Sequence, residues 1–173
     1  MKITKIQAQI KTKGRYSIYI DDKYSFSLSD LALINSGLKL GQELSKTEVE
    51  AFKDESAADK LYNRVLGLLA MRPRSEWEVK EYLKRKSDIP SHIEKILNML
   101  SNQNYIDDEK FARSWVESRR LLKPISLRKL KLELKQKRIS DSVISKVLSE
   151  DQIDEIEVLK QLVEKKRNQS RYQ

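Results

Sequence analysis

The densest basic segment of the chain runs from Arg119 to Arg138 and holds nine basic residues against one acidic residue, Glu133. A basic stripe recurs within it at helical spacings of three and four: Arg128, Lys131, Lys135 and Arg138. A separate apolar stripe lies at similar spacing: Leu127, Leu130 and Leu134. A solvated helix ordinarily mixes charge signs and gains ion pairs at i,i+4, which this stripe forgoes. We therefore favour a polyanionic ligand over a merely soluble face, because Lys and Arg neutralise phosphates and release their counterions.

An earlier segment carries the same signature in weaker form. MRPRSEWEVKEYLKRK at 71–86 and LKPISLRKLKLELKQK at 122–137 each place a serine two residues after a proline and follow it with a Lys-rich helical pattern. The basic hinge residues lie at or before helix N-termini, where unpaired backbone N–H groups favour an anion; exposed hinge charges without a ligand are an equal alternative. Trp77 lies on the outward face and either stacks on a base or, as we prefer, covers a neighbouring module. The candidate contacts for nucleic acid or a protein partner are Arg72, Arg74, Trp77, Lys80, Lys84, Arg85, Lys86, Arg119, Arg120, Lys123, Arg128, Lys131, Lys135 and Arg138.

The densest acidic cluster, Asp107-Asp108-Glu109, has to be weighed as a metal-dependent nuclease site. A helix N-terminus explains it more simply, since Asp107 suits the N-cap and the next two acids suit the positive end of the helix. The chain has no cysteine and one histidine, His92, which we expect on the surface of a helix. There is also no phosphate-cradling Gly-rich loop and no nucleophile elbow. The sequence therefore predicts no catalytic residue, no metal site and no cofactor.

The elements that carry these residues begin with three strand-like runs. The alternating apolar positions are Ile6, Ala8, Ile10, Tyr16, Ile18, Ile20, Tyr24, Phe26 and Leu28, and they predict a small antiparallel meander. A turn at 21–23 separates the last two runs. A short helix from Asp30 to a left-handed stop at Gly37 follows, and a capping box at Ser45–Glu48 opens another helix.

A period near fifty residues then predicts a duplicated three-helix module. In each copy a proline, Pro73 or Pro124, ends the first helix, and a serine, Ser75 or Ser126, caps the second. We predict a mainly α protein, with tandem three-helix modules in an elongated array preceded by a small antiparallel β meander. The expected parts are 1–56 for the meander and short helices, 57–104 and 105–150 for the first and second modules, and 151–173 for the first helix of an incomplete third module.

Charge and hydropathy along the chain bear on its ligand and on its cellular compartment. The net charge is +9, and residues 59–150 hold 21 basic and 13 acidic side chains, so the excess lies on the duplicated part. The N-terminal MKITKIQAQIKTK has no continuous apolar segment of the kind that a secretory signal requires. The longest apolar stretches, such as LGLLAM at 66–71, are too short to span a bilayer. We therefore expect a cytoplasmic protein.

Three segments, RPRSEWEVKEYLKRK, NYIDDEKFARSWVESRRLLKP and LELKQKRIS, together resemble the RecX family of bacterial recombination regulators. RYSIYIDDKYSFSLS followed by GLKLGQEL resembles the β-rich extension of some members, so the likeness covers roughly residues 3–165. The matching positions are Arg72, Pro73, Arg74, Ser75, Tyr105, Asp107, Asp108, Phe111, Ala112, Trp115, Lys123 and Pro124. Three features depart from the family pattern: Ile125 replaces a common basic residue, Asp22-Lys23 replaces a common glycine, and the third module is incomplete.

This resemblance implies a curved array of three-helix modules that binds the RecA recombinase filament, and also DNA, and that restrains recombination and ATP turnover. The basic residues would face DNA phosphates and acidic patches on recombinase protomers. The implied partners are the RecA filament and single- and double-stranded DNA, with the chain itself a monomer. Two alternatives remain open from the residues alone: a general helical DNA-binding protein that needs no recombinase and, less favoured, the metal nuclease.

Overall fold

Local sequence signals account for most elements of this computed structural model, which describes residues 1–122, 125–151 and 155–167. The chain divides into two compact units, Met1–Ala70 and Met71–Gln173. The first unit holds β1 (Ile3–Ala8), β2 (Arg15–Ile20), β3 (Lys23–Ser29), α1 (Asp30–Ser36) and all but the last residue of α2 (Lys46–Met71). The second holds α3 (Glu76–Lys84), α4 (Pro90–Asn102), α5 (Asp108–Leu122), α6 (Leu127–Gln136), α7 (Asp141–Ser149) and α8 (Glu155–Arg167). The mainly α class with a small N-terminal sheet is confirmed.

The three strands form an antiparallel sheet in the order β1-β2-β3. One face packs into a buried cluster made of Ile3, Ile18, Ile20, Phe26, Leu28, Leu38, Leu44 and Val49. Asp21 and Asp22 make the turn before β3 with positive φ angles of 47° and 63°, a conformation that Asp tolerates better than most residues and that explains how the hairpin forms without a glycine. The expectation for Ile10 is wrong, because β1 ends at Ala8 and Ile10 is 93% exposed beyond it.

The predicted end of α1 and the predicted start of α2 both form in the first unit. Gly37, at a φ of 64°, ends α1 in the left-handed conformation. The capping box forms in full: the Ser45 N–H donates to the Glu48 carboxylate at 2.8 Å, and the Glu48 N–H donates to Ser45 Oγ at 3.2 Å. From this cap α2 runs without interruption for 26 residues. One helix therefore crosses position 57, where the sequence analysis separated two helices.

A buried ion pair ties the sheet to α2. Arg15 Nη1 lies 2.9 Å from Asp59 Oδ2, and both side chains are about nine-tenths buried. The Arg15 guanidinium also donates to Ser27 Oγ at 3.0 Å, while Ser29 Oγ donates to Asp59 Oδ1 at 2.6 Å. These hydrogen bonds offset the cost of taking both charges out of water, and they fix the position of α2 on β3.

In the second unit, α5, α6 and α7 share one core. Its buried members are Phe111, Ala112, Val116, Ile125, Leu130, Leu134, Ile139, Ile144 and Val147. Trp115 packs against this cluster, as its position on the apolar face predicts. Helix α4 buries Ile93, Ile96, Leu97 and Leu100, and it also buries His92, which is 4% exposed. The surface expectation for His92 is wrong because the inner face of α4 is wide enough to include the position before Ile93.

The last helix lies close to its expected place. The predicted amphipathic helix appears as α8, whose Ile156, Leu159 and Val163 are exposed. Ile153, predicted to begin this helix, lies outside the described residues, as do Lys123 and Pro124 of the second hinge.

Candidate nucleic-acid interface

The apolar stripe orients α6. Leu130 and Leu134 are fully buried. Ser126 caps the helix by accepting a hydrogen bond from the Lys129 N–H at 3.4 Å. The opposite side of the helix is thereby turned to solvent. All members of the basic stripe are exposed, at Arg128, Lys131, Lys135 and Arg138.

An open groove of about 520 Å³ follows this helix. Its lining consists of Ser126, Arg128, Lys129, Lys131, Leu132 and Lys135. No carboxylate belongs to that lining in the described part of the chain. Lys135 also pairs with Asp141 at 3.0 Å, but both side chains are exposed, so water and salt screen the pair strongly. Sequence reasoning missed Lys129 and Leu132, which lie between the positions of the basic stripe.

The one acidic residue of α6 is turned away from this groove. Glu133 accepts hydrogen bonds from Trp115 Nε1 at 2.9 Å and from Arg119 Nε at 2.7 Å, both on α5. Burial raises the pKa of the Glu133 carboxyl, but these hydrogen bonds outweigh it and hold the pKa below its ordinary value. Glu133 is therefore charged at neutral pH and is neutralised by α5, which leaves the cations of α6 uncompensated by their own helix.

Two of the predicted contacts have structural roles instead. Arg119 binds Glu133, and its guanidinium lies 4.6 Å from the centre of the Trp115 ring. Arg120 has a side chain only 6% exposed; it pairs with Asp151 at 2.6 Å and donates to the Ile125 carbonyl at 2.7 Å. Arg120 is thus corrected from a surface contact to a buried brace, and nothing near it in sequence reveals Asp151 as its partner.

The first hinge binds an anion, but that anion is supplied by the chain itself. Asp108 Oδ1 accepts a hydrogen bond from the Glu76 N–H, at the N-terminus of α3, at 2.9 Å. Arg72 forms two hydrogen bonds of 3.1 Å with the Glu78 carboxylate. An acidic side chain therefore occupies the corner for which the sequence left two alternatives open, a bound anion or exposed hinge charges without a ligand.

Lys137 joins this corner from the end of α6. Its Nζ lies 2.7 Å from Glu78 Oε1, and its carbonyl accepts a hydrogen bond from Ser75 Oγ at 3.1 Å. Burial raises the pKa of Glu78, but hydrogen bonds and charge from Arg72 and Lys137 outweigh it and bring the pKa to about 2. Residues from the two sequence copies thus meet in one ionic junction, which we call the Glu78 junction: Arg72, Ser75, Glu78 and Lys137.

The remaining candidates of the first copy form a more mixed surface. Lys84 pairs with Glu81 at 2.8 Å. Trp77 is 38% exposed, so the structure leaves part of its indole accessible. Lys80, Arg85 and Lys86 are exposed, and Arg74 is half-buried. Lys123 lies outside the described residues.

The acidic cluster at the start of α5 is explained by helix capping. Asp107 Oδ1 accepts hydrogen bonds from the Glu109 N–H at 2.9 Å and the Lys110 N–H at 3.0 Å, which confirms it as the N-cap. Asp108 caps α3, and Glu109 pairs with Arg113 at 2.8 Å and with Lys146 at 2.8 Å. Among the described residues, no group of three or more His, Cys, Asp or Glu side chains is placed to hold a metal ion.

Family models match most of the chain in three parts. The regulatory protein RecX N-terminal domain matches residues 1–45, the first three-helix domain of RecX matches 62–101, and the second three-helix domain matches 107–148. Within the described ranges, every helix is too short or too polar to cross a membrane.

Known proteins agree with these matches. The Regulatory protein RecX of Listeria welshimeri is 35% identical over 150 residues, covering 87% of this chain and 56% of its own length. That of Bacillus subtilis is 34% identical over 147 residues, covering 85% of this chain and 56% of its own length. The chain therefore spans a little over half the length of these curated relatives.

Solved structures extend the likeness to the fold. A crystal structure of regulatory protein RecX superposes with a TM-score of 0.75 at 34% identity, covering 86% of this chain and 73% of that one. RecX from Lactobacillus salivarius gives a TM-score of 0.51 at 27% identity, covering 53% of this chain and 60% of that one. Sequence, fold and domain order thus agree, and the chain belongs to the RecX family of regulatory proteins.

Proposed function

We propose that this chain is a non-enzymatic regulator that binds the RecA–DNA filament and inhibits recombinase activity in homologous recombination, DNA repair and the SOS response. The relatives that it matches are regulatory proteins by name. The observation that carries the molecular part of the proposal is the basic stripe on α6, which is exposed while the one acid of that helix is neutralised by α5. The chain acts in the cytoplasm as a monomer.

The stripe suggests how inhibition would arise. Exposed Lys and Arg side chains gain binding free energy from phosphates through counterion release, and this gain does not depend on base sequence. Acidic patches on recombinase protomers can take up the cations that the DNA leaves free. A chain that holds the DNA backbone and two neighbouring protomers together hinders filament growth and strand exchange. Contacts with both single- and double-stranded DNA follow from the same phosphate chemistry.

The direct test is the DNA-dependent ATPase of purified RecA. Substoichiometric amounts of this chain are expected to lower the rate, whereas the R128E/K131E/K135E variant is expected to lose most of the effect. The control variant, K11E/K13E/K39E, makes the same change in net charge at three exposed lysines of the N-terminal unit. Circular dichroism of both variants serves as the folding control, since both are expected to keep the wild-type helix content. If the ATPase rate of RecA is unchanged at saturating concentrations of the wild-type chain, the proposal is wrong. If the chain binds DNA but leaves the ATPase rate unchanged, it is a general DNA-binding protein.

A further inference from the structure

Helices α3 and α6 begin at equivalent serine caps, Ser75 and Ser126, but their exposed faces differ in charge. Helix α3 carries three acids, Glu76, Glu78 and Glu81, whereas α6 carries Glu133 alone. The acids of α3 compensate basic neighbours, since Glu81 pairs with Lys84 and Glu78 belongs to the Glu78 junction. Helix α6 presents a row of cations, and the lining of the groove beside it holds no carboxylate in the described part of the chain.

The backbone at the end of α6 gives a second, independent indication. Arg138 follows the C-cap Lys137 and adopts a φ of 60°. The Ile139 N–H donates back to the Leu134 carbonyl at 3.2 Å, which closes the helix in a Schellman-type turn. Glycine is the usual residue at this left-handed position, because a side chain with a Cβ is strained there. A strained position that nonetheless holds an exposed cation, in line with the basic stripe, indicates a role for that cation.

The donor chemistry of the groove distinguishes between anionic partners. Its Lys and Arg side chains can only donate hydrogen bonds, and the Ser126 hydroxyl already accepts one from the Lys129 N–H. A protein surface presents donors as well as carboxylates, and its donors would find few acceptors here. A phosphodiester chain presents acceptors along its whole length. The span from Arg128 to Lys135 is about 10 Å along the helix, which is roughly the axial rise of three nucleotides of one strand.

We propose that the α6 groove binds the sugar–phosphate backbone of DNA, with Arg128, Lys131, Lys135 and Arg138 contacting successive phosphates, and that the equivalent face of α3 takes no part. This inference rests on the proposed function and assigns its DNA contact to one of the two copies. The exposed Leu132 lies in the same groove and offers apolar contact to a deoxyribose. The α3 face, where Glu76 and Glu81 are interspersed among the cations and Trp77 is partly exposed, is left for other contacts.

The test measures DNA binding by fluorescence anisotropy, with a labelled duplex and a labelled single strand, over a range of salt concentrations and without recombinase. Replacing Arg128, Lys131 and Lys135 with Gln removes three cations and keeps good helix formers. The slope of log affinity against log salt is expected to fall by about 2.7 for duplex and about 2.1 for single strands. The K80Q/K84Q/K86Q variant of the α3 side is expected to keep the wild-type slope, as is the control K11Q/K13Q/K39Q.

If the slope of log affinity against log salt fell equally in the α6 and α3 triple variants, the assignment of DNA binding to one copy would be overturned. An unchanged slope in the α6 variant would overturn the groove as a DNA site; if that variant also lost binding to DNA-free RecA, the groove's ligand would be an acidic protein surface. The ATPase assay is separate, so DNA binding through α6 with no effect on RecA would sink the proposed function and leave this inference standing.

Arg138→Gly is the single substitution that tests the role of Arg138 in DNA binding most directly. Because glycine relieves the strain at this position, we expect a higher denaturant midpoint together with a DNA affinity about fivefold weaker, the effect of one lost charge-assisted contact. A residue with a purely structural role would not move stability and binding in opposite directions. Unchanged DNA affinity in this variant would overturn the assignment of Arg138 to the site.

Discussion

At the scale of single residues, the Glu78 carboxylate is shared by two cations, Arg72 and Lys137. Its pKa of about 2 lies below the ordinary 4.5, so the folded state favours the charged carboxylate. The resulting stability is fully present above pH 4.5 and is lost as the pH falls toward 2. Removing the charge leaves Arg72 and the largely buried Lys137 without a carboxylate to neutralise them.

We therefore predict that Glu78→Gln lowers the free energy of unfolding by about 1–3 kcal/mol at pH 7. At pH 2–3 the difference from wild type should shrink, because wild-type Glu78 is then increasingly protonated too. Urea unfolding at the two pH values measures both numbers. Glu94→Gln, at an exposed position of α4, is the matched control. A deficit that stays constant with pH would show that packing, and not charge, is what the substitution removes.

Residues whose partners lie within one turn of helix were predictable from sequence, and those with distant partners were not. The Ser45–Glu48 box and the Asp107 cap follow from spacing alone, because a side chain can reach only the nearest backbone N–H groups. Lys137 meets Glu78 across 59 residues of sequence and Arg120 meets Asp151 across 31. Such pairs depend on how helices pack, so the sequence marked Arg120 as a surface cation and gave no hint of its burial.

At the scale of elements, helix starts were easier to predict than helix lengths. The expected break near position 57 was placed by the period of the repeat and not by any stop signal. Between Ser45 and Met71 there is no proline, and the single glycine, Gly67, lies inside α2 about one turn before its last residue. Without a residue that ends a helix, α2 continues through the proposed boundary.

Asp108, at the start of α5, caps the N-terminus of the neighbouring helix α3. Burial raises the pKa of Asp108, and the hydrogen bond from the Glu76 N–H opposes this without cancelling it. For a carboxyl with a raised folded pKa, stability increases as the pH falls, which is the opposite sign to Glu78. The folded state therefore favours the protonated Asp108 carboxyl over the charged one.

Asp108→Ala removes the acceptor and should lower the free energy of unfolding by about 1–2 kcal/mol, with faster amide exchange in the first turn of α3. Asp108→Asn keeps an acceptor without the charge and should leave stability at pH 7 equal or slightly higher. Hydrogen exchange followed by NMR, with Asp88→Ala as an exposed control, measures both effects. Equal losses for Ala and Asn would mean that the charge itself stabilises the helix terminus.

At the scale of the whole molecule, net charge describes the function poorly until paired and unpaired cations are separated. The sequence places the positive excess in residues 59–150. The structure pairs Arg72, Arg119, Arg120 and Lys137 with internal acids, and the side chains of the Arg120–Asp151 pair are buried. Exposed cations remain on both copies, and those of α6 lie on one face of a helix whose single acid is paired with α5. Composition could predict a basic protein, but only packing decides which of its cations face a ligand.

Each of the two units has a hydrophobic core of its own. The buried cluster around Leu28 belongs to the first unit and that around Leu134 to the second, and the two share no member. Both leucines are fully buried, so replacing either with Ala should cost about 2–5 kcal/mol. Leu132→Ala, on the exposed side of the same helix as Leu134, should cost less than about 0.5 kcal/mol.

Because separate cores open separately, Leu28→Ala should raise hydrogen exchange in the three strands while leaving α6 and α7 protected, and Leu134→Ala should do the reverse. The same independence predicts that Leu28→Ala keeps wild-type DNA affinity below its unfolding temperature, since the α6 groove is built on the other cluster. If either substitution raised exchange evenly throughout the chain, the two clusters would unfold as one cooperative core. The DNA-binding surface would then depend on the sheet as much as on α6.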